Sequence, residues 1–513
     1  MKSAKINLTI LANVISCLFT LGISYLLTPY YVSTLGDEAY GYVGLANTFI
    51  SYAGILTLAF NAMAQRFITV AYQRGEKEEM NVYFWSVLVA EGVLSAAILT
   101  VGLGISARVE SFFDVSPHLL GDVRLTFAVA VLNFVLTTVL SVFASSCFAA
   151  NRIEISAMLT ILANIGKVAV LVPLLYFFAP HVYFISVGGL IYTMVLYGGY
   201  WAVTKQILPE IRFNHRFVRC SAMWEMFRYG VWSSLSRLSS MLISGLDLVL
   251  ANLFVGPAEM GMLAIVRVFQ QALDSLYLAV ASAFYPQFTI LYAKGLKSEL
   301  LASVKRAMRY IAVLLMVPCA GLFGFGDSFF RLWLPTKTPQ EVAELHLLTV
   351  LLILPTAGNA MVEALLAIPG IYKRVKVPML ISLGVGVACL ANKFLLLRTT
   401  SLGVYAIVLG SCIWPLLNAW LIQPLYVARV LGEKWYCFFP SLGRNILLLG
   451  MLTMFFRLMN NVLRPDDWLQ FAAAAAVTGA MGYGIGFLLG FDRSEKQEML
   501  EKLKTKFKGG TDK

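Results

Sequence analysis

Charge is scarce in this chain. Of its 513 residues only 13% are Asp, Glu, Lys or Arg, about half the share usual in soluble domains. Histidine is scarcer still, and His118, His181, His215 and His346 fall in no H-E-x-x-H or other metal-binding spacing. Cys17, Cys147, Cys220, Cys319, Cys389, Cys412 and Cys437 form no C-x-x-C pair. Most lie in apolar runs, so they read as small buried hydrophobes and not as disulfide partners or metal ligands. There is no G-x-x-x-x-G-K-[ST] sequence, which excludes a P-loop ATP site in this chain. No paired carboxylates or activated nucleophile stand out, so the reading is a non-enzyme with no cofactor.

What the chain has in abundance is apolar surface. Hydrophobic residues make up 59% of it, and the mean hydropathy is +0.76. A soluble core of this length could not hide that much, and the same composition excludes disorder, collagen and a disulfide scaffold. A bilayer-spanning helix needs about 20 predominantly apolar residues. Fourteen segments qualify: 7–32, 42–72, 83–107, 124–149, 155–179, 183–204, 229–255, 261–292, 310–333, 345–368, 377–398, 402–428, 442–463 and 468–491. Barrel strands would need only about ten alternating residues. The fold class expected is therefore an all-α polytopic membrane protein with about 14 transmembrane helices. The first segment is too long for a signal-peptide core and reads as a retained helix.

The net charge of +12 would suggest nucleic acid in a soluble protein. Here the cations sort by side of the membrane, and no nucleic-acid partner is expected. With the N-terminus in the cytoplasm, seven of the 40 Lys and Arg fall in outer segments: Arg108, Arg124, Arg331, Lys337, Arg398, Arg457 and Arg464. Five lie within segments, and the other 28 are cytoplasmic, as the positive-inside rule requires. Six of nine tryptophans (Trp85, Trp201, Trp224, Trp333, Trp435 and Trp468) stand near segment ends, where an aromatic belt belongs. Beyond Phe491 the tail is basic, with Met499, Leu500, Leu503 and Phe507 at helical spacing. It suits an interfacial helix on an anionic leaflet and equally a solvated tail.

An internal repeat divides the chain. Residues 36–79 align with 256–299 without gaps, with identities that include Gly36/Gly256, Gly41/Gly261, Tyr72/Tyr292, Gly75/Gly295, Lys77/Lys297 and Glu79/Glu299. A second echo pairs Val182-Tyr183 through Gly188 with Val404-Tyr405 through Gly410. Six segments separate the copies, an even number, so the halves are parallel. The expected organisation is an N-lobe (1–208), a pseudo-symmetric C-lobe (209–432), two further helices (433–491) and a basic cytoplasmic tail (492–513). Two such lobes suggest rocking-type alternating access around a cavity.

Several short motifs carry a resemblance. Thr28-Pro29-Tyr30, Leu35-Gly36 with Tyr40-Gly41, the run from Asp247 through Val255-Gly256 to Gly261, Phe284-Tyr285-Pro286-Gln287, Leu332-Trp333-Leu334 and Leu402-Gly403-Val404-Tyr405 are similar to those of bacterial polysaccharide transporters. That family lies in the multidrug/oligosaccharidyl-lipid/polysaccharide exporter superfamily. The resemblance implies a flippase that moves an undecaprenyl-pyrophosphate-linked oligosaccharide from the inner to the outer leaflet of the bacterial cytoplasmic membrane. It also implies membrane lipids, a polysaccharide polymerase and glycosyltransferases as partners. Lipid II flippases carry arginines on helices two and eight, roughly where Arg66 and Arg267 stand here.

Ionisable groups inside the membrane are functional candidates by default. The cations are Arg66, Lys167, Arg237, Arg267 and Lys393, the last near a segment end where it can snorkel. The acids Glu91, Asp247, Asp274 and Glu363 are candidates for ion coupling. Helical spacing sorts their polar neighbours into stripes. One holds Asn13, Ser16, Thr20 and Ser24. A second holds Asn47, Ser51, Gly54, Asn61 and Gln65, with Arg66 beside it. A third holds Ser233, Arg237, Ser240, Ser244 and Asp247, and a fourth Arg267, Gln270, Asp274 and Tyr277. Guanidinium groups match the oxygens of a pyrophosphate, and hydroxyls and amides match a sugar chain. Arg66, Arg237, Arg267 and Lys167 are thus the candidate substrate-binding cations. The same stripes also serve as packing glue in helical bundles. Two other functions compete: a cation-coupled multidrug exporter of the same fold, which would rely on the carboxylates, and a non-transporting scaffold or scramblase.

Overall fold

The computed structural model describes residues 2–150, 152–211, 215–282, 284–372, 374, 376–492 and 495–497. Among them no strand occurs, and fourteen helical rods follow one another. They are α1 (Lys2–Leu35), α2 (Asp37–Arg74), α3 (Lys77–Ala107), α4 (Pro117–Ala149), α5 (Ile153–Phe177), α6 (Tyr183–Ile207), α7 (220–254), α8 (Pro257–Ser282 and Tyr285–Ala293), α9 (Lys297–Trp333), α10 (Pro339–Ile371), α11 (Lys376–Thr399), α12 (Val404–Leu431), α13 (Phe439–Leu463) and α14 (Trp468–Gly490). Each rod covers one of the fourteen apolar segments to within two residues at its ends. Eleven helical segments among the described residues are long and apolar enough to cross a membrane. The chain is an all-α polytopic membrane protein. The tail residues Met499, Leu500, Leu503 and Phe507 lie outside the described residues.

Local chemistry sets the rod ends. At α10, the backbone N–H of Glu341 donates to Thr338 Oγ1 at 3.3 Å and that of Thr338 donates to Glu341 Oε2 at 2.9 Å. This is a reciprocal capping box, with Pro339 at the first helical position, where its missing N–H costs nothing. The repeat-related turns after α2 and α8 are alike. Gly75 has φ +75° and Gly295 φ +71°, a left-handed conformation that glycine adopts without strain. In both turns the glycine N–H donates to the tyrosine three residues back, at 3.1 and 3.0 Å, and the lysine N–H returns to the glycine carbonyl at 3.0 Å. The sequence repeat is thus a repeat of backbone conformation.

The rods pack into two compact units, one of Met1–Ile265 with Ser401–Ile407 and the other of Val266–Thr400 with Val408–Lys513. In the first, α1, α2, α5 and α6 bury Leu27, Tyr31, Val43, Leu171, Leu175 and Phe184 together. Along α2 runs α7. Ser234 Oγ donates to the Ile55 carbonyl at 2.9 Å, and Tyr52 Oη donates to the Gly245 carbonyl at 3.0 Å. The repeat-related Gly41 and Gly261 meet: a Cβ on Gly41 would stand 2.9 Å from Gly261 Cα. Beside them, Asn252 grips the Asp114 backbone through both amide atoms, at 2.9 and 2.8 Å, and Tyr42 Oη donates to the same carbonyl at 3.1 Å.

In the second unit α9 and α10 are the inner helices. Seventy-two per cent of the span window of each is buried, against 22% for α11 and α14. Near the C-terminal end of α9, Asp327 takes both His346 Nδ1 of α10 and Arg457 of α13, and His346 Nε2 lies 3.1 Å from the Phe323 carbonyl. At its other end, Arg309 holds Glu495, Arg306 approaches Glu495 at 3.6 Å, and Arg444 of α13 holds Asp492 at 2.8 Å. The start of the tail is therefore clasped onto the bundle. The Arg444 guanidinium, aided by Arg309, holds the Asp492 carboxyl below the usual carboxylate range.

Three expectations about single residues are corrected. Lys393 does not snorkel: it is fully buried, with its stem beside Gly410, where a Cβ would come within 2.5 Å of Lys393 Cγ. Trp333 is turned inward against Phe269, Phe329 and Phe330, while Trp201, Trp224, Trp435 and Trp468 are exposed as interfacial anchors should be. Cys220 is exposed, in contrast to the buried Cys147, Cys319, Cys389 and Cys412. It opens α7 at the rod end instead of lying within the apolar run.

Gly41→Ala should cost about 1–3 kcal/mol through overpacking, read as a lower melting temperature in detergent. Gly92→Ala, where a Cβ meets nothing within 4 Å, should be within about 0.5 kcal/mol of the parent. Equal melting of the two variants would refute the close crossing. Asp492→Asn should also lower the melting temperature at pH 7. A depressed carboxyl contributes stability above its ordinary pKa and loses it as pH falls. The gap between Asp492→Asn and the parent should therefore close on acidification; a gap that persisted at pH 3 would rule out the ion pair as its source.

Candidate functional site

Two of the polar stripes, those on α7 and α8, fall on rods whose helical course is interrupted. On α7 the chain passes through a π-helical turn at Met241–Gly245, and such turns free a carbonyl from the regular ladder. Tyr52 of α2 supplies the donor at Gly245. Of the α7 stripe, Arg237 and Ser240 are exposed, Ser244 is half-buried on the π turn and Asp247 is buried. Ser240 donates to the Ser236 carbonyl of its own helix at 3.3 Å. The side chains of Ser233 and of Asn13 on α1 lie outside what the structure describes.

On α2, Asn47 is exposed, Ser51 donates to the Thr48 carbonyl at 2.7 Å, and Gln65 is half-buried. Arg66 is exposed at the rim of a cleft of about 410 Å³ shared with Arg74, Glu76, Glu79 and Glu225. Lys167 of α5 is partly buried beside Gly188 of α6. Among the described residues, Arg66, Lys167 and Arg237 make no ion pair with an acid.

Two constellations form across helices. In the first unit, α4 changes to a 3₁₀ turn at Ser141–Ala144. Ser141 Oγ faces three acceptors: Asn61 Oδ1 of α2, Glu91 Oε2 of α3 at 3.3 Å and the Thr138 carbonyl at 2.8 Å. One hydroxyl hydrogen cannot serve all three. A proton on Glu91 would complete the set. Glu91 is fully buried, and its Oε1 has no partner among the described residues.

In the second unit, α8 and α10 bring two acids together. Asp274 accepts from Thr356 Oγ1 at 3.1 Å, and Glu363 accepts from Tyr285 Oη at 3.2 Å. The two carboxyl groups are close enough for their charges to interact, and Tyr277 senses both. Arg267 on the same face of α8 acts on Asp274, while its buried Nη1 has no acceptor among the described residues. Gln270 lies half-buried between them in sequence. Asp274 and Glu363 each accept a hydroxyl from the facing helix, and either carboxyl is able to take a proton.

The single-helix stripe of Arg267, Gln270, Asp274 and Tyr277 was legible from spacing, but the partners Thr356 and Tyr285 were not. Ser141 was missed for the same reason. Periodicity shows which residues share a face of one helix and is silent about the helix opposite.

The fold and these sites can now be compared with known proteins. The family described as "Polysaccharide biosynthesis protein" matches residues 9–291. The chain is 27% identical over 501 residues to "Uncharacterized membrane protein EpsK" of Bacillus subtilis (strain 168), with 98% of both chains covered. Among solved structures, the lipid II flippase MurJ in an inward closed conformation superposes with a TM-score of 0.68 at 12% identity, covering 93% of this chain and 97% of that one. An inward-facing multidrug resistance MATE family transporter of the MOP superfamily gives a TM-score of 0.68 at 14% identity, covering 81% of this chain and 95% of that one. The two structures share the fold, and the sequence match gives the family: the chain belongs to the polysaccharide biosynthesis protein family, on a MOP-type transporter fold.

Proposed function

We propose that the protein flips an undecaprenyl-pyrophosphate-linked oligosaccharide from the inner to the outer leaflet of the bacterial cytoplasmic membrane by alternating access, with both termini in the cytoplasm. Membership of a polysaccharide biosynthesis family supports the class of cargo, and the 28-to-7 division of cations supports the orientation. The observation that carries the cargo assignment is Arg267. A buried guanidinium nitrogen without an acceptor is costly, and a passing diphosphate would supply the acceptor. Arg237, which is exposed, and Lys167 are the other candidate cargo cations. Arg66 contributes less, because three carboxylates share its cleft with only two arginines.

In this reading Asp274 and Glu363 couple transport to an ion gradient. Like charges brought together in a low-dielectric site repel, and a bound proton or Na⁺ relieves the repulsion. Glu91 with Ser141, and the buried Asp247, are further coupling candidates. The same carboxylates favour the second reading, a cation-coupled multidrug exporter, since a MATE transporter shares the fold.

Reconstituted transport of a fluorescent prenyl-diphosphate sugar separates the two. Arg267→Ala and Arg237→Ala should each slow it by about tenfold or more, the loss of one charge-assisted contact, and Arg66→Ala should slow it less. Rates unchanged in all three variants, or transport of a lipophilic cation instead, would overturn the flippase reading. For coupling, Na⁺ or mild acid should raise the melting temperature of the parent, and Asp274→Asn should melt higher than the parent without Na⁺ and respond less to it. An identical Na⁺ and pH response in parent and variant would remove Asp274 from the coupling site.

A further inference from the structure

The cleft at the end of α2 has a charge pattern that a diphosphate cargo does not explain. Arg66 and Arg74 stand on α2, Glu76 and Glu79 at the turn into α3, and Glu225 near the start of α7. Charges just outside the cleft are spent on ion pairs: Lys77 with Glu210, and Arg219 with Glu78 at 3.3 Å. Inside it the charges are kept apart. Among the described residues neither arginine holds a carboxylate, and Glu225 receives only the hydroxyl of Tyr83, at 3.4 Å. Two guanidinium groups and three carboxylates left unpaired around about 410 Å³ call for a ligand that carries both signs.

Depth gives the order of those signs. Arg66 lies eight residues before Arg74, about 12 Å along the helix at 1.5 Å per residue. Arg74, Glu76 and Glu79 belong to the end of the hairpin that leaves the bilayer. The floor is apolar, formed by Phe67, Val70 and Ala71, with Val70 exposed. From Phe67 outward, the cleft offers hydrocarbon, then the Arg74 guanidinium, then carboxylate, with Arg66 at its deep end. A phospholipid whose headgroup ends in a primary ammonium presents the complementary series of acyl chain, phosphate and ammonium. A quaternary ammonium could not donate hydrogen bonds to the glutamates, and an anionic headgroup would face three like charges.

We propose that this cleft is a binding site for a zwitterionic phospholipid of the phosphatidylethanolamine type. Its acyl chain lies along Phe67 and Val70, its phosphate rests on Arg74, and its ammonium rests among Glu76, Glu79 and Glu225. Arg66, at the deep end of the cleft, is also a candidate cargo cation, so the test substitutes other residues and does not measure transport.

The full chain in detergent, titrated by native mass spectrometry, provides the test. Dioleoyl-phosphatidylethanolamine should bind more tightly than the matched phosphatidylcholine or phosphatidylglycerol. Arg74→Ala and, independently, Glu79→Gln should weaken that binding about tenfold, the loss of one charge-assisted hydrogen bond. Melting without added lipid shows that each variant is folded, and Glu79→Gln, at a rod end, keeps the test open should Arg74→Ala fail to fold. Equal binding of the three lipids, or undiminished phosphatidylethanolamine binding in a folded variant, would overturn the proposal. Free phosphoethanolamine competing as strongly as the intact lipid would overturn the lipid assignment.

Discussion

A hydrocarbon interior offers no partner to a peptide N–H or carbonyl, so each must be satisfied within the protein. That constraint organises the whole chain. It makes every regular element among the described residues a helix. It also decides what happens where a helix departs from its ladder. The π turn at Met241–Gly245 leaves a carbonyl that Tyr52 of a neighbouring helix must reach, and the 3₁₀ turn at Ser141–Ala144 lies where Asn61 and Glu91 converge. Irregular backbone and polar side chains occur together because each supplies what the other lacks.

Charge obeys the same economy. Where no water is at hand, a charge is stable only beside its complement. The clasp of Arg306, Arg309 and Arg444 on Asp492 and Glu495, and the junction of Asp327 with His346 and Arg457, follow this rule and tie helices together. The buried Nη1 of Arg267 and the carboxyls of Asp274 and Glu363, each bonded to a hydroxyl instead of a cation, depart from it. These departures are where a ligand lowers the free energy most, and they are the groups to which function is assigned above.

The repeat recurs in the backbone as well as in the sequence. Gly75 and Gly295 adopt the same left-handed turn, and Gly41 meets Gly261 where no side chain would fit. Asn252, gripping the Asp114 backbone nearby, adds directional bonds to that crossing.

Composition and periodicity determined that the chain is helical and membrane-spanning, where its fourteen rods lie, which helix faces are polar, and that one stretch recurs after six rods. Those properties depend on local hydrophobicity and on the 3.6-residue period, which a linear sequence carries in full. Only the tertiary structure decided which faces meet. Lys393 is buried because Gly410 leaves room for it, Trp333 faces inward among phenylalanines, and Thr356 donates to Asp274 although they stand 82 positions apart in the chain. Burial and pairing depend on the helix opposite, and the position of that helix is a property of the packed bundle rather than of any one segment.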